Sequence, residues 1–541
     1  MRRSKVQSRW AGLWLVLTST GLITSIGMAG TLDLAVIDAA TGQPVPARVR
    51  VRDARGEDHV PPDAVTLQIV QDRWFYTAGV EQIDLPAGEV IIRVERGTEY
   101  RPIKTTIVIP DTGTVRFEAG LERWIDMRAR GYVSGENHLH VTPAEAPVMP
   151  AGENLTYGTI LSWWNGPREE LPADWKWAVD LSFGGVTTPF SVFDAEVEHV
   201  WGAVYIIGPR QPLSLKAEQR RANLAYVKEG RDHGALICYQ GGWSREVLVN
   251  ALNGLVDVVN VCNNNFHRHK FQPRSRYSNL LQVEGFPQYP DTPEGMMRLN
   301  TETYYRLLNC GLRLAAGAGT ATGAKDAPVG YNRAYVRAGE RPTLADFYEA
   351  WRQGRNFVTN GPMVFLTVDP ASGVGEPLRP GDTVDLPQTG GKLKINVQAI
   401  SEQPLRSLEI VVNGRVVGST PVGPDARSAE LTVTQAIEEG SWVAARCTEE
   451  DLLLPDEELA GYRLESRHGN APCRLRFAHT SPIYITVDGR GPRVASSIRE
   501  AEMMLDAFER FARAKAAEEF LPEILEAVES ARAALKGAAV E

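Results

Sequence analysis

The sequence predicts a multidomain protein of α/β and β architecture, in which an α/β unit lies between two β-sandwiches and a helical hairpin follows. Alternating polar and apolar residues without helical periodicity occupy residues 30–122 and 363–490, a pattern typical of sandwich strands. Short apolar runs alternate with helical stretches over residues 123–362, which indicates an α/β unit. At 541 residues the chain exceeds what one hydrophobic core usually organises. We therefore expect about three or four compact units.

The beginning of the chain, residues 1–29, has the pattern of a secretory signal peptide. Basic residues precede an apolar run from Trp10 to Met28, and small residues end it at Ala29. We expect cleavage after Ala29 and a secreted or periplasmic protein. An uncleaved membrane anchor is the alternative, because the run approaches the length of a membrane span. No later segment offers about twenty consecutive apolar residues, so no transmembrane segment is expected after cleavage.

The charge and the cysteines exclude several classes of protein. The net charge is -9 and no basic stripe is visible, which argues against a nucleic-acid partner, since phosphate neutralisation needs clustered Lys and Arg. The five cysteines lack the C-x-x-C spacing of a thiolate zinc site. Cys447 and Cys473 fall in one β-rich region and could pair in an oxidising compartment. The other three lie in apolar segments and are expected to be buried thiols.

The first unit, residues 30–122, is predicted to be a small β-sandwich. Strand-like runs cover residues 48–52 and 90–94, and turn clusters fall at residues 40–43 and 85–88. This pattern resembles carboxypeptidase-regulatory or transthyretin-like domains. It carries no evident catalytic constellation, so we expect a spacer or adhesive module.

The second unit, residues 123–362, is predicted to contain buried parallel strands. Helical spacing is found over residues 212–230 and 301–309. The strands are expected in three continuous apolar runs, residues 203–207, 235–239 and 256–261. In α/β units of this kind the chemistry sits at the carboxyl ends of the strands.

The third unit, residues 363–490, is predicted to be a second β-sandwich, entered through a Pro- and Gly-rich boundary at residues 369–391. Beyond it, residues 491–541 have helical periodicity, and Pro522 opens a second helix. One stripe of the first helix carries Ala501, Leu505, Phe508, Phe511 and Ala512. We expect this hairpin to pack either on the body of the protein or on a partner, which leaves an oligomer through these helices open.

The candidate metal site starts from Glu136, His138 and His140. Side chains on a strand alternate between faces, so these three are expected to project the same way. Imidazole is the commonest transition-metal ligand, and a nearby carboxylate can either ligate or orient it. Two histidines two residues apart are nevertheless common on polar surfaces, so the remaining ligands must come from elsewhere in the fold.

The second unit resembles the CehA/McbA-type metallohydrolases of the PHP (polymerase and histidinol phosphatase) superfamily. The matching strings are GYVSGENHLH at 131–140, YYRLLNCG at 304–311, PVGYNR at 328–333 and GRNFVTNGP at 354–362. The resemblance implies a PHP-like distorted (β/α)7 barrel that holds one to three divalent metal ions, zinc, manganese or iron. It places His138 and His140 at the first ligand pair and Glu196 at the second-motif carboxylate. It also places Glu136 and Glu153 at acidic positions suited to proton transfer.

The sequence departs from the pattern of that superfamily at three ligand positions. Ala203 stands where a histidine commonly follows Trp-Gly, and Gln240 sits near the usual third-motif ligand. Ala321 occupies the final motif, and its side chain cannot bind a metal. A hydrolytic site needs about three or four protein ligands and one open position.

Replacement ligands are expected from two places. His199 follows Glu196 by three residues, and His267 with His269 forms a second His-x-His pair after a predicted strand. Each is also explained by a structural role, in a strand or in a solvated loop. Arg268 could clamp a phosphate or a carboxylate, although an arginine at such a position often forms structural ion pairs.

Two functions of different classes remain open at this point. The first is a secreted metal-dependent hydrolase that acts on an ester, phosphoester or amide of a small molecule or glycan. The second is a non-catalytic secreted protein that binds a glycan or cell-surface polymer through a decayed PHP barrel. Metal content discriminates between them, because only the hydrolase requires a bound transition metal.

Overall fold

The computed structural model describes residues 29–168, 170–241, 244–268, 286–370, 375–453 and 473–537. The predicted signal peptide, except for its last residue, and His269 lie outside these ranges. Within them, no helix combines the length and the apolar character that crossing a membrane requires.

The amino-terminal unit consists of two β-sheets packed face to face. Its strands are β1 (Ala29–Asp38), β2 (Ala47–Asp53), β3 (Asp58–His59), β4 (Thr66–Ile69), β5 (Asp72–Thr77), β6 (Val80–Pro86), β7 (Gly88–Glu95), β8 (Ile103–Ile109) and β9 (Thr114–Leu121). One sheet has the order β6-β1-β9, and the other has the order β4-β5-β2-β7-β8 with β3 beside β2. Alternate residues of both sheets, among them Leu32, Val49 and Ile92, meet in one buried core.

The second unit contains a seven-stranded mixed sheet. The elements from β10 to β19 are β10 (Val133–Gly135), α1 (Val148–Gly152), β11 (Gly158–Trp164), β12 (Ala178–Phe183), β13 (Val186–His199), β14 (Gly202–Ile207), α2 (Asn223–Asp232), β15 (Leu236–Tyr239), α3 (Val247–Leu252), β16 (Val258–Cys262), α4 (Pro293–Asn309), β17 (Ala315–Ala318), β18 (Arg333–Val336), α5 (Leu344–Arg352) and β19 (Asn356–Thr359). The sheet has the order β11-β13-β14-β15-β16-β17, with β12 paired to β13.

The predicted PHP-like (β/α)7 barrel is wrong. Strands make up 41% of the described residues and helices only 18%, and the strand ladders of this described part close into no barrel. Within the seven-stranded sheet, β13 pairs antiparallel with β12 and β14, and β14 pairs antiparallel with β15. Tight hairpins join β12 to β13 and β13 to β14, so no helix lies between these strands. A (β/α)7 barrel requires parallel strands with a crossover helix between each pair.

A nine-stranded sheet joins the second unit to the third. The strands after β19 are β20 (Met363–Val368), β21 (Thr383–Leu386), β22 (Gly391–Ile400), β23 (Leu405–Val412), β24 (Arg415–Pro421), β25 (Ser428–Ile437), β26 (Ser441–Glu450), β27 (Leu475–Thr480) and β28 (Ile483–Val487). The large sheet has the order β10-β18-β19-β27-β26-β23-β24, with β28 and β21 attached. It packs on the three-stranded sheet β20-β22-β25. One sheet therefore crosses the boundary that the sequence places at residue 362.

Two helices, α6 (Ala495–Lys515) and α7 (Leu521–Lys536), follow the third unit. Ala501, Leu505, Phe508 and Ala512 of α6 are buried in the same core as the seven-stranded sheet. The Trp201 ring, for example, lies 6.1 Å from Phe508 between ring centres. The apolar stripe of this hairpin therefore packs on the body of the protein.

All five cysteines are buried and unpaired. Cys447 lies in β26, and Cys473 precedes β27. The disulfide that the sequence left open between them is not formed.

Candidate metal centre

The first two candidate ligands lie on an extended segment, residues 136–140, that follows β10. This segment runs beside residues 318–322, because the backbone N–H of Asn137 donates to Ala318 at 3.1 Å and that of His140 donates to Thr322 at 2.8 Å. In return, the N–H of Ala321 donates to the carbonyl of His138 at 2.7 Å. Ala321 thus contributes backbone support where the resemblance implied a ligand. Extended backbone here places His138 and His140 on one side.

The structure brings His138, His140 and Glu196 together into a group that could hold a metal ion. The Nε2 atoms of the two histidines are 3.0 Å apart. Oε2 of Glu196, on β13, lies 3.3 Å from Nε2 of His138 and 2.9 Å from Nε2 of His140. All three side chains are buried. Two imidazoles and one carboxylate form the donor set of many catalytic zinc sites, which leave one position open.

The charge states of His138 and Glu196 suit metal ligation. Burial lowers the pKa of His138, so that its ring is neutral near neutral pH. Burial alone would raise the pKa of Glu196, but its close contacts with His138 and His140 outweigh it and hold this pKa below its usual range. A neutral imidazole and an ionised carboxylate are the forms that bind metal.

Aromatic rings and a second carboxylate surround the group. The Tyr205 ring lies 4.3 Å from that of His138, and the Trp164 ring lies 4.5 Å from that of His140. Glu198 follows Glu196 by two residues on β13, and burial and the charge of Glu196 raise its pKa. Sequence reasoning missed Glu198, although the two-residue alternation of a strand was available to find it.

The outer nitrogens of both histidines lack the acceptors that usually orient ligating imidazoles. Nδ1 of His138 is buried without a hydrogen-bond partner among the described residues. Nδ1 of His140 faces Nη1 of Arg168 at 3.2 Å. Because a guanidinium can only donate, this contact places the ring hydrogen of neutral His140 on Nε2, which is the atom that a metal would need. The contact with Arg168 therefore opposes metal binding.

We expect Arg168→Met to tighten zinc binding by about tenfold, because the change removes a donor that favours the wrong tautomer of His140. Zinc affinity measured by competition with a chromophoric chelator checks this. Arg168 is exposed and stacks on Trp164 at 4.9 Å. Arg210→Met is the matched control, since Arg210 is also exposed and stacks on Trp177 at 3.5 Å. Weaker zinc binding by Arg168→Met would show instead that Arg168 supports the site.

The carboxylate of Glu136 does not join the ligand group. It accepts hydrogen bonds from the backbone N–H groups of Thr320 and Gly330. Burial raises its pKa to about 8 in spite of these bonds. Glu136 therefore ties the loop after β17 to the segment that carries the histidines.

The structure also places Glu153 and His199 outside the ligand group. Glu153 accepts from Nε of Arg48 at 2.7 Å and from the hydroxyl of Tyr76 at 3.0 Å, both in the amino-terminal unit. His199 ends β13, where its Nδ1 accepts from the backbone of Trp201 at 3.4 Å. Burial lowers the pKa of His199 to about 4.

Gln240 and Ala203 also occupy positions where the sequence departs from the resemblance. Oε1 of Gln240 accepts from the hydroxyl of Tyr205 at 3.2 Å, and its Nε2 donates to Asn264 at 2.7 Å. Ala203 supports Ser244 through backbone hydrogen bonds. Neither residue contributes a metal ligand.

His267 and Arg268 lie instead at a second place, which we call the junction cavity. This cavity of about 60 Å³ is lined by Glu153, His267, Arg268 and other residues of all three units. Nε of Arg268 donates to Asp451 at 2.7 Å, and its Nη1 lies 3.2 Å from Glu95. Arg268 thus forms the structural ion pairs that the sequence left open as one alternative.

Comparisons with known proteins give no family for this chain. No protein-family model matches it, and no curated protein matches it. Among solved structures, the minor pilin GBS52 of Streptococcus agalactiae is 18% identical, with 18% of this chain and 46% of the pilin covered and a TM-score of 0.15. The β-glucuronidase of Parabacteroides merdae is 11% identical, with 82% of this chain and 62% of the enzyme covered and a TM-score of 0.15. The chain spans less than two thirds of either protein, and TM-scores this low support no inference about fold or function.

Proposed function

We propose that the protein is a metal-dependent hydrolase that holds a divalent zinc, manganese or iron ion between His138, His140 and Glu196. The observation that carries the proposal is the convergence of three buried donor atoms within 4.8 Å of one another. Burying a carboxylate is costly unless a cation or hydrogen-bond donors compensate for its lost hydration. A metal ion bound by these three atoms supplies that compensation.

The donor set also favours a hydrolytic reaction. A divalent ion with two imidazole ligands, one carboxylate ligand and an open position acidifies bound water and polarises a carbonyl or phosphoryl oxygen. The resemblance to CehA/McbA-type metallohydrolases rests partly on the same His138 and His140. We accordingly propose an ester, phosphoester or amide of a small molecule or glycan as substrate, in a secreted or periplasmic setting.

Proton transfer is assigned to Glu198 in this proposal. Glu198 lies on the same face of β13 as Glu196, and burial, together with the charge of Glu196, raises its pKa. Glu136 and Glu153 have carboxylates that are occupied by backbone N–H groups and by Arg48, respectively. A carboxyl group with a raised pKa next to the ligand group is suited to hold a proton during hydrolysis.

The experiment that tests the proposal is a measurement of bound metal. We expect the chain from Gly30 onward, purified without chelators, to contain one transition-metal ion per chain by elemental mass spectrometry. The His138→Ala, His140→Ala double variant should contain none, because two of its three donor atoms are gone. A positive result would justify a screen of ester and phosphoester substrates.

The control for this measurement is His233→Ala, since among the described residues His233 lies outside the ligand group, and its Nδ1 contacts the carbonyl of Gln211 at 3.1 Å. Circular dichroism of each variant shows whether it is folded. Folded wild-type protein that is free of metal and takes up no added zinc, manganese or iron would refute the proposal. That result would favour the non-catalytic glycan-binding alternative.

A further inference from the structure

The junction cavity has an unusual set of unsatisfied donors. Three residues that line it, Arg333, Asn360 and Arg476, are each more than nine-tenths buried. Nη1 of Arg333, Nδ2 of Asn360 and Nε of Arg476 have no hydrogen-bond partner among the residues that the structure describes. All three atoms are donors. Leaving a buried donor without an acceptor is energetically costly, so an occupant that accepts hydrogen bonds is favoured in this cavity.

Of the three residues, Arg333 would gain most from an occupant that accepts hydrogen bonds. Its Nε donates to the carbonyl of Gly330 at 2.6 Å, and its Nη2 donates to the carbonyl of Glu153 at 3.1 Å. Burial raises the pKa of Glu99, and the charge of Arg333 only opposes this rise. No ion pair of Arg333 within 4.0 Å is found in the described ranges. A buried guanidinium that is bonded only to carbonyl oxygens is poorly compensated.

The other charges around the cavity limit the charge of the occupant. Among the described residues, four arginines and four acidic residues line it. Arg48 pairs with Glu95 at 2.8 Å and with Glu153, and Arg476 pairs with Glu449. Asp451 pairs with Arg268 from outside the lining, as Glu449 does with Arg476, so the arginines are already more than balanced and a dianion such as phosphate would add two uncompensated charges. A monoanion would add one, and two guanidinium donors would face it.

The size of the cavity limits the occupant further. A cavity needs a volume of about 10–15 Å³ to hold one water molecule. A cavity of about 60 Å³ therefore has room for on the order of four to six non-hydrogen atoms. Acetate and glycolate fall in this range.

We propose that the junction cavity is a binding site for a small monocarboxylate, held by Arg333, Arg476 and Asn360 where the three units meet. A carboxylate supplies only acceptors and suits guanidinium groups, which bind it with two parallel hydrogen bonds. The ligand would link residues from β18, β27 and the turn after β19, and so would stabilise the contact between these elements. The site is separate from the metal ligands and does not depend on the proposed hydrolase activity.

The proposal is tested by titrating the full chain with acetate and with glycolate at constant ionic strength, by calorimetry and by thermal melting. We expect saturable binding of one carboxylate per chain and a rise in Tm that follows the ligand concentration. Phosphate and chloride at the same ionic strength should produce neither. Binding should persist in the His138→Ala, His140→Ala variant, which separates this site from the metal centre.

The decisive variant is Asn360→Asp. Oδ1 of Asn360 accepts from the backbone of Phe477 at 2.8 Å, and an aspartate keeps this bond while replacing the unsatisfied donor with a negatively charged acceptor. Carboxylate affinity should fall by about tenfold or more. Asn413→Asp is the matched control, since Oδ1 of Asn413 accepts from the backbone of Trp442 at 3.0 Å outside the cavity lining. This control should bind like the wild type.

Two results would overturn the proposal: absence of saturable carboxylate binding by the wild type, and undiminished binding by folded Asn360→Asp. A crystal structure of the wild type grown with acetate gives an answer that needs no variant. Planar density against Arg333 and Arg476 would support the site. A cluster of water molecules alone would refute it, because water would then satisfy the three donors.

Discussion

Replacing Glu153 by alanine is expected to lower the free energy of unfolding by about 3–5 kcal/mol and to leave the metal content unchanged. Glu153 is the buried partner of Arg48, which is itself 2% exposed. Its carboxylate also accepts from the hydroxyl of Tyr76 and from the backbone N–H of Gly97 at 3.2 Å. The alanine variant would leave Arg48 with Glu95 alone and two further donors without acceptors. Removing one member of a buried ion pair is strongly destabilising for this reason.

Thermal melting of the wild type and of Glu153→Ala measures the effect, and a fall in Tm of about 3–4 °C is expected for a chain of 541 residues. Elemental analysis of the folded variant measures its metal content. Glu118→Ala is the control, because Glu118 is exposed on β9 and should give no measurable change. A variant that melts like the wild type but fails to hydrolyse a substrate would restore the catalytic role that the resemblance implies for Glu153.

The candidate metal ligands illustrate what a sequence can predict about a site. His138 and His140 were identified because local alternation decides which residues of an extended segment share a face. The direction of Glu136 could not be predicted in this way. Its carboxylate is held by the backbone of Thr320 and Gly330, which are 184 and 194 residues away. Hydrogen bonds between residues so distant in the sequence leave no periodic pattern that could predict them.

The strands of the second unit show a similar limit. Continuous apolar runs predicted β14, β15 and β16 near their observed positions, and all three are fully buried. The prediction that they are parallel holds for β15 with β16 but fails for β14, which is antiparallel to both of its neighbours. Burial on both faces makes a strand apolar whatever its direction. The apolar pattern therefore predicts burial, whereas the pairing depends on contacts distant in the sequence.

The residue at which α2 begins is another feature that could not be predicted from the local sequence. Helical spacing predicted a helix from residue 212, but α2 begins at Asn223. The carboxylate of Glu246 accepts from the backbone N–H groups of Asn223 at 2.8 Å and of Leu224 at 3.0 Å. It thus satisfies the first donors of the helix from 23 residues away. A sequence search for a cap looks only at the residues next to the helix.

The contribution of Glu246 to the stability of the protein should decrease as the pH rises. Most carboxylates of folded proteins have lowered pKa values, and their contribution increases with pH instead. Burial raises the pKa of Glu246 to about 8 against 4.5 when unperturbed, although Asn223, Leu224 and Asn250 donate to it. Asn250 also bonds Tyr239, whose pKa is raised as well. Because the folded state holds the proton more tightly, the contribution of Glu246 is complete below about pH 4.5. It is lost as the pH rises through about 8.

We therefore expect Glu246→Gln to gain stability relative to the wild type by about 1.4 kcal/mol for each pH unit between about pH 5 and 8. Glutamine is neutral throughout this range and resembles the protonated acid, so the variant lacks the titration. Melting curves of both proteins at each pH unit give the difference in Tm, and that of the exposed Glu118→Gln control should stay constant. Parallel curves for Glu246→Gln and the wild type would mean that Glu246 is ionised in the folded protein. The three amide donors would then be sufficient to stabilise a buried charge at the start of α2.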